Sequence, residues 1–234
     1  MNFSIKYLSV VFLFISVYGT SQNNAQKAKE NFYAKNYQLT IEEINLINSS
    51  EINFDSILYI KAYSQIKLNQ LKEANISISQ LLQINPNYYE VYFLKGLIFA
   101  KKEKYADAIS NFNKVIDANP KHDKALYNMA LAKGLLEDYT NAIKDLDKCI
   151  TINPNYAMAF YNRAYWQELS ENYTAAIADY KKAIELDHHY SEAYTALAYV
   201  YSQNGDKTNA CETLQAAKNE GIETANDLIQ LFCK

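Results

Sequence analysis

Proline and glycine are scarce in this sequence, with three prolines and five glycines among 234 residues. Both residue types interrupt regular secondary structure, so their scarcity favours long helices. Apolar residues make up 49% of the chain, which is enough to bury a large core and argues against a disordered protein.

An excess of positive charge is also missing, since the formal net charge is −3. A protein that binds nucleic acid needs a stripe of lysine and arginine to neutralise phosphates, and no such stripe is present. The sequence therefore disfavours a nucleic-acid partner.

The usual catalytic motifs are absent as well. The sequence contains no phosphate-binding loop, zinc-protease helix motif, CxxC pair or serine elbow. His122 lies two repeats away from His188 and His189, so the three cannot share a metal ion. We predict no catalytic residue, metal or cofactor, and an enzyme remains the minority interpretation.

The N-terminus differs in character from the rest of the chain. Lys6 precedes an almost wholly apolar run from Tyr7 to Tyr18, and small residues then precede a polar segment. This order predicts a signal peptide over residues 1–21 and an exported protein, periplasmic or secreted. The run is shorter than the roughly 20 residues that span a bilayer, so an uncleaved membrane anchor is the weaker alternative.

The three prolines, Pro86, Pro120 and Pro154, are spaced by 34 residues, and each follows an asparagine. A fixed period of this length indicates stacked helix-turn-helix units. The predicted division is a degenerate first repeat at 22–54, repeats at 55–88, 89–122, 123–156, 157–190 and 191–221, and a capping helix within 222–234.

Two columns of small residues run through these units at the same period. Their members are Ala28, Ala62, Gly96, Ala130, Ala164 and Ala198, and then Ala74, Ala108, Ala142, Ala176 and Ala210. Helices pack about 8–10 Å apart, and a closer approach requires small side chains at the crossing. The columns therefore predict the faces on which neighbouring helices pack.

The unit resembles the tetratricopeptide repeat (TPR), most clearly in 123–156, through Leu126, Ala130, Tyr139, Ala142 and Pro154. The resemblance implies an all-α fold, a right-handed α-solenoid of about six units with a C-terminal capping helix. One departure is a column that is often leucine in this family but holds Lys61, Lys95 and Arg163 here, whose stems can pack while their charges reach solvent.

In this family the first helices of the units line a concave groove that receives peptides. The resemblance places these residues on that face: Tyr59, Tyr63, Phe93, Tyr127, Asn128, Tyr161, Asn162, Tyr165 and Tyr199. Tyrosine offers a large contact area with a polar tip, although packing alone would also explain part of this pattern. The clamp that some relatives use for a C-terminal carboxylate is incomplete, because Glu192 and Ala196 stand where basic residues are needed.

Two of the three cysteines, Cys211 and Cys233, lie almost symmetrically about Gly221, where the chain is expected to turn. In an oxidising compartment they would form a disulfide, whereas in a reducing one they would be buried free thiols. Cys149 falls in a column of core residues and is predicted to be a small core residue rather than a nucleophile.

These observations favour a non-catalytic scaffold of the cell envelope that binds a protein or peptide in the concave groove. The alternative is a structural subunit that contacts its partners through the convex face or the ends. After signal cleavage we expect no stable membrane span.

Overall fold

The computed structural model describes residues 20–47 and 54–233, and every regular element in these ranges is a helix. The predicted signal peptide lies outside the described residues except for Thr20 and Ser21, which belong to the first described helix. Within the described ranges, no helix combines the length and apolarity needed to cross a bilayer.

The chain divides into two compact units, Met1–Ile98 and Phe99–Lys234. The first unit contains α1 (20–33), α2 (Tyr37–Asn45), α3 (Asp55–Lys67), α4 (Leu71–Ile84) and most of α5 (Val91–Lys101). The second contains α6 (Tyr105–Ala118), α7 (Asp123–Gly134), α8 (Tyr139–Ile152), α9 (Ala157–Leu169), α10 (Tyr173–Leu186), α11 (Ser191–Gln203), α12 (Lys207–Asn219) and α13 (Thr224–Phe232).

The 34-residue period of the sequence is reproduced in the backbone. The second helix of each pair begins 34 residues after the one before it, at Tyr37, Leu71, Tyr105, Tyr139, Tyr173 and Lys207. Two residues before each start the backbone is left-handed, at Lys35, Asn69, Glu103, Glu137, Glu171 and Gly205. The predicted all-α solenoid of paired helices is therefore confirmed.

Both small-residue columns are buried throughout, as the packing argument requires. Every alanine of the two columns is at most 5% exposed, and Gly96 is buried as well. In the second unit, Ala164 and Ala176 belong to one apolar cluster with Tyr180, Leu197 and Val200. Neighbouring helices thus pack across alanines, and large side chains fill the space beside them.

Two of the three asparagines that precede the repeat prolines, Asn85 and Asn153, join the ends of their helix pairs. Asn153 donates its side-chain amide to Asp123 at 3.0 Å, which joins the end of α8 to the start of α7. Asn85 donates to Asp55 at 2.9 Å in the same way in the first unit. These bonds connect the two ends of a helix pair while proline prevents the second helix from continuing.

The C-terminal helix α13 packs on the last repeat, where Tyr194, Ala217 and Ala225 form a buried cluster. The turn between α12 and α13 contains Gly221 with φ +79°, a left-handed conformation that glycine adopts readily. Such a helix covers an apolar face that the last repeat would otherwise expose.

We expect Gly134→Ala to lower the free energy of unfolding by about 1–3 kcal/mol through overpacking. A Cβ atom at Gly134 would overlap the indole ring of Trp166, which is 5% exposed and stacks on Tyr139 at 5.6 Å. This clash outweighs the gain in helix propensity of up to about 1 kcal/mol. Urea denaturation followed by circular dichroism measures the change.

The matched control is Gly134→Ala combined with Trp166→Phe, which clears the space beside the new methyl group. It also removes an indole N–H that is buried without a hydrogen-bond partner in the described part of the chain. The double variant should be less destabilised than the sum of the two single changes. A Gly134→Ala protein as stable as the unmodified chain would contradict the close approach.

Candidate partner-binding groove

The second unit contains an open groove of about 690 Å³ between α9, α11 and α13, which we call the C-terminal groove. Its lining consists of Tyr161, Tyr165, Glu168, Tyr180, Ser191, Glu192, Thr195, Ala196, Tyr199, Thr224, Asp227 and Leu228. Three of these, Tyr161, Tyr165 and Tyr199, were predicted from the sequence to face a partner.

Helical spacing explains why these side chains meet. Tyr161, Tyr165 and Glu168 are separated by four and three residues, so they lie along one face of α9. Glu192, Thr195 and Tyr199 follow the same rule on α11, and Thr224, Asp227 and Leu228 do so on α13. The groove therefore has a first helix from each of two repeats and the capping helix as its walls.

The tyrosines differ in how freely a partner can reach them. Tyr165 is 39% exposed and Tyr199 is 50% exposed. Tyr161 is half-buried, because its ring packs against Tyr190 at 5.0 Å and Tyr180 at 5.6 Å between centroids. Tyr165 and Tyr199 are thus the two large side chains most available for contact, and Tyr161 supports the wall.

Glu168 is the most enclosed acidic group of the groove. Tyr180, which is fully buried, donates its hydroxyl to Glu168 at 2.7 Å. Burial raises the pKa of the Glu168 carboxyl above its usual value, while the Tyr180 hydrogen bond acts in the opposite direction. Burial, followed by the nearby charge of Glu192, raises the pKa of the Tyr161 hydroxyl, so that ring remains neutral.

A smaller apolar cavity of about 140 Å³ adjoins the groove between α11, α12 and α13. Its lining is Thr195, Ala198, Tyr199, Ala210, Leu214 and Leu228. Thr195, Tyr199 and Leu228 line both spaces, which makes the cavity a side pocket of the groove. Apolar cavities near this size, about 150 Å³, can hold a ring as large as benzene.

Three further predicted residues of the second unit lie outside this lining. Tyr127 packs on Tyr156 with centroids 4.9 Å apart, and its hydroxyl accepts a hydrogen bond from Asn162 at 3.1 Å. Burial raises the pKa of Tyr127 to about 12. Asn128 and Asn162 each donate to a carbonyl of their own helix four residues earlier. Packing and helix contacts occupy much of these three side chains.

The remaining predicted residues lie in the first unit, and the prediction that Phe93 faces a partner is wrong. Tyr59 and Tyr63 are half-buried; Tyr59 packs on Tyr88 at 6.0 Å, and Tyr63 packs on Phe32 at 5.4 Å. Phe93 is only 2% exposed and is not accessible to a partner. Phenylalanine has no hydroxyl to hydrate, so its ring is more stable in the core than at a surface.

Glu168, Thr224, Asp227 and Leu228 line the groove but were not predicted from the sequence. Glu168 could have been found, because it lies seven residues after Tyr161 on the same helix face. The three residues of α13 follow Gly221 and fall outside the 34-residue columns, so the repeat pattern carries no information about them.

The three cysteines and His122 all lie in the second unit. Cys211 and Cys233 are joined by a disulfide, with Cα atoms 5.6 Å apart. Cys149 is a buried free thiol whose pKa burial raises to about 12, which makes it a poor nucleophile at neutral pH. His122 accepts a hydrogen bond from the Ala125 amide and caps α7. Among the described residues, no group of three or more histidine, cysteine or acidic side chains could hold a metal ion.

Four family models match the chain. One is described as "TPR repeat" and matches residues 170–205, and three described as "Tetratricopeptide repeat" match 123–156, 89–122 and 192–220. Together the matches cover just over half of the sequence. No curated protein matches the chain.

Several solved structures share the fold at low sequence identity. MamA is 21% identical with a TM-score of 0.62, covering 70% of this chain and 96% of its own. A tetratricopeptide repeat protein from Parabacteroides merdae is 18% identical with a TM-score of 0.62, covering 86% and 80%. YrrB, described as a TPR protein with an unusual peptide-binding site, is 18% identical with a TM-score of 0.58, covering 71% and 86%. At these identities the likeness concerns the fold alone.

Proposed function

Because the chain belongs to the tetratricopeptide-repeat family, we propose that it is a non-catalytic interaction scaffold of the cell envelope that binds a partner segment in the C-terminal groove. Proteins of this family are generally scaffolds that bind proteins or peptides. The observation that carries the proposal is the open groove between α9, α11 and α13, with Tyr165 and Tyr199 both exposed in it.

The groove suits an extended peptide better than a small rigid ligand. Exposed tyrosines provide contact area at low entropic cost. The hydroxyls of Ser191 and Thr224, which lie 3.5 Å apart, can pair with a peptide backbone, whereas the Thr195 hydroxyl donates to the Ser191 carbonyl of its own helix at 3.1 Å and can only accept. YrrB, which shares the fold, is described by its peptide-binding site and so offers a parallel for this mode of binding. The partner we propose is therefore a peptide or a segment of another protein.

Export of the protein is part of the same proposal. The order of charged, apolar and small residues at the N-terminus supports it, and so does the Cys211–Cys233 disulfide, since such bonds persist in oxidising compartments. Mass spectrometry of the N-terminus of protein recovered from cell fractions is the direct test. An intact N-terminus on cytosolic protein would contradict it.

The expected result for Tyr165→Ala/Tyr199→Ala is a loss of partner capture by at least about tenfold, because exposed aromatic side chains dominate such interfaces. These two positions test the groove more cleanly than Tyr127 or Tyr161, whose rings are packed against other tyrosines. Capture from envelope extracts, with cross-linking and mass spectrometry, measures the effect.

Tyr33→Ala is the matched control, since Tyr33 is an 81% exposed tyrosine in the first unit. Circular dichroism should show an unchanged helical fold in both variants. If the double variant captured the same partner as well as the unmodified chain, the groove would not be the binding site. The interface would then lie on the convex face or the ends, as expected of a structural subunit.

A further inference from the structure

The charged side chains that line the C-terminal groove are all acidic. Its lining contains Glu168, Glu192 and Asp227, and no lysine or arginine is among the lining residues. Glu192 and Asp227 are exposed, so their carboxylates are accessible to a ligand in the groove. The three acidic groups come from three helices, α9, α11 and α13, and therefore surround the space between them.

The aromatic groups of the groove favour the same kind of ligand. Tyrosine faces attract cations through the quadrupole of the ring, and the attraction grows when the cation is shielded from water. Tyr165 and Tyr199 are exposed and line the same groove as the three carboxylates. A positively charged side chain with an aliphatic stem would use both features, since its stem packs on the rings while its head meets the acidic groups.

The apolar side pocket adds a second requirement. It adjoins the groove along Thr195, Tyr199 and Leu228, and its walls are formed mainly by alanine and leucine. An aliphatic side chain next to the basic residue would enter this pocket and remove its apolar surface from water. A peptide in which only polar residues stand beside the basic residue would leave the side pocket unfilled.

We propose that the occupant of the C-terminal groove is a peptide segment in which a lysine or arginine stands beside an aliphatic residue. The basic side chain lies between Glu168, Glu192 and Asp227, and the aliphatic side chain enters the side pocket. This inference rests on the proposed function and names the class of partner for it. The groove should reject acidic segments by repulsion between like charges.

The test is a selection of random twelve-residue peptides displayed on phage against the oxidised full chain. We expect the enriched peptides to contain lysine or arginine beside leucine, isoleucine or valine. Synthetic copies should bind the Glu192→Gln/Asp227→Asn variant about three- to tenfold more weakly, as the loss of two partly exposed ion pairs implies. Their binding should also weaken with added salt.

A matched control removes two negative charges elsewhere in the same unit, through Glu171→Gln/Glu212→Gln. Both residues are exposed and neither lines the groove, so this variant should bind like the unmodified chain. An equal loss in the two variants would show that only the net charge matters and would overturn the proposal.

Two other outcomes separate this proposal from the function on which it rests. Selected peptides that are neutral or acidic, and that still require Tyr165 and Tyr199, would overturn the basic partner while leaving peptide binding in the groove intact. If no enriched peptide depended on those two tyrosines, the result would contradict both the basic partner and peptide binding in the groove.

Discussion

Replacing Arg163 with methionine is expected to lower the free energy of unfolding by about 3–5 kcal/mol, because it leaves a buried carboxylate without its partner. Arg163 donates from Nε and Nη2 to the two carboxylate oxygens of Asp179, each at 2.7 Å. The Asp179 side chain is only 8% exposed, so water cannot replace the lost bonds. Urea denaturation monitored by helical circular dichroism gives the measurement.

The second ion pair of Arg163 provides the internal control. Nη1 donates to Asp147 at 2.7 Å, but the Asp147 side chain is 52% exposed. Asp147→Asn should therefore cost at most about 1 kcal/mol, the range of exposed pairs. An effect of Arg163→Met no larger than this would show that the Asp179 pair is not what stabilises the α9–α10 contact.

Replacing both partners tests the mechanism more directly. Arg163→Met combined with Asp179→Leu removes the charge that the single change leaves unpaired, so it should recover most of the stability. A double variant as unstable as Arg163→Met alone would indicate that lost packing of the arginine stem, and not an unpaired Asp179, causes the effect.

The ion pair also shows where the sequence stops being informative. The period of 34 predicts the helix pairs because each unit repeats the same packing positions, as Ala142 and Ala176 illustrate by being fully buried. Arg163 was expected to direct its charge to solvent, but it pairs with Asp179 on the next helix instead. Lys61 and Lys95 share the column of Arg163, and Asp145 shares that of Asp179. The following repeat holds Leu197 and Thr213 at these positions, so the 34-residue period does not carry the ion pair from one repeat to the next.

The repeat period also predicts only part of the groove, because it marks helix faces and not contacts that occur once in the chain. Tyr161, Tyr165 and Tyr199 lie on the repeated face of the first helices, and the structure brings these three together. Phe93 lies two periods before Tyr161 in the same column but is buried, because a column fixes a direction on the helix and not the depth at which a side chain packs. The wall formed by α13 depends on a turn at Gly221 that occurs once in the chain.

Removing the Cys211–Cys233 disulfide is expected to reduce stability by about 3 kcal/mol on the chain-entropy model, given the 22-residue separation of the two cysteines. The loss should be local, since the bond ties only α13 to α12 and terminal elements open most easily. Hydrogen exchange of backbone amides in 224–233 should accelerate in Cys211→Ser/Cys233→Ser, while exchange in α9 and α10 stays slow.

The same change should weaken partner binding, because α13 provides Thr224, Asp227 and Leu228 to the C-terminal groove. A mild reductant should reproduce the effect in the unmodified chain without involving Cys149, which is a buried free thiol. Cys149→Ala, tested with and without reductant, is the control for that third cysteine. Unchanged amide protection in α13 after reduction would contradict the role of the disulfide. Rapid exchange together with unchanged binding would show instead that α9 and α11 bind the partner without the capping helix.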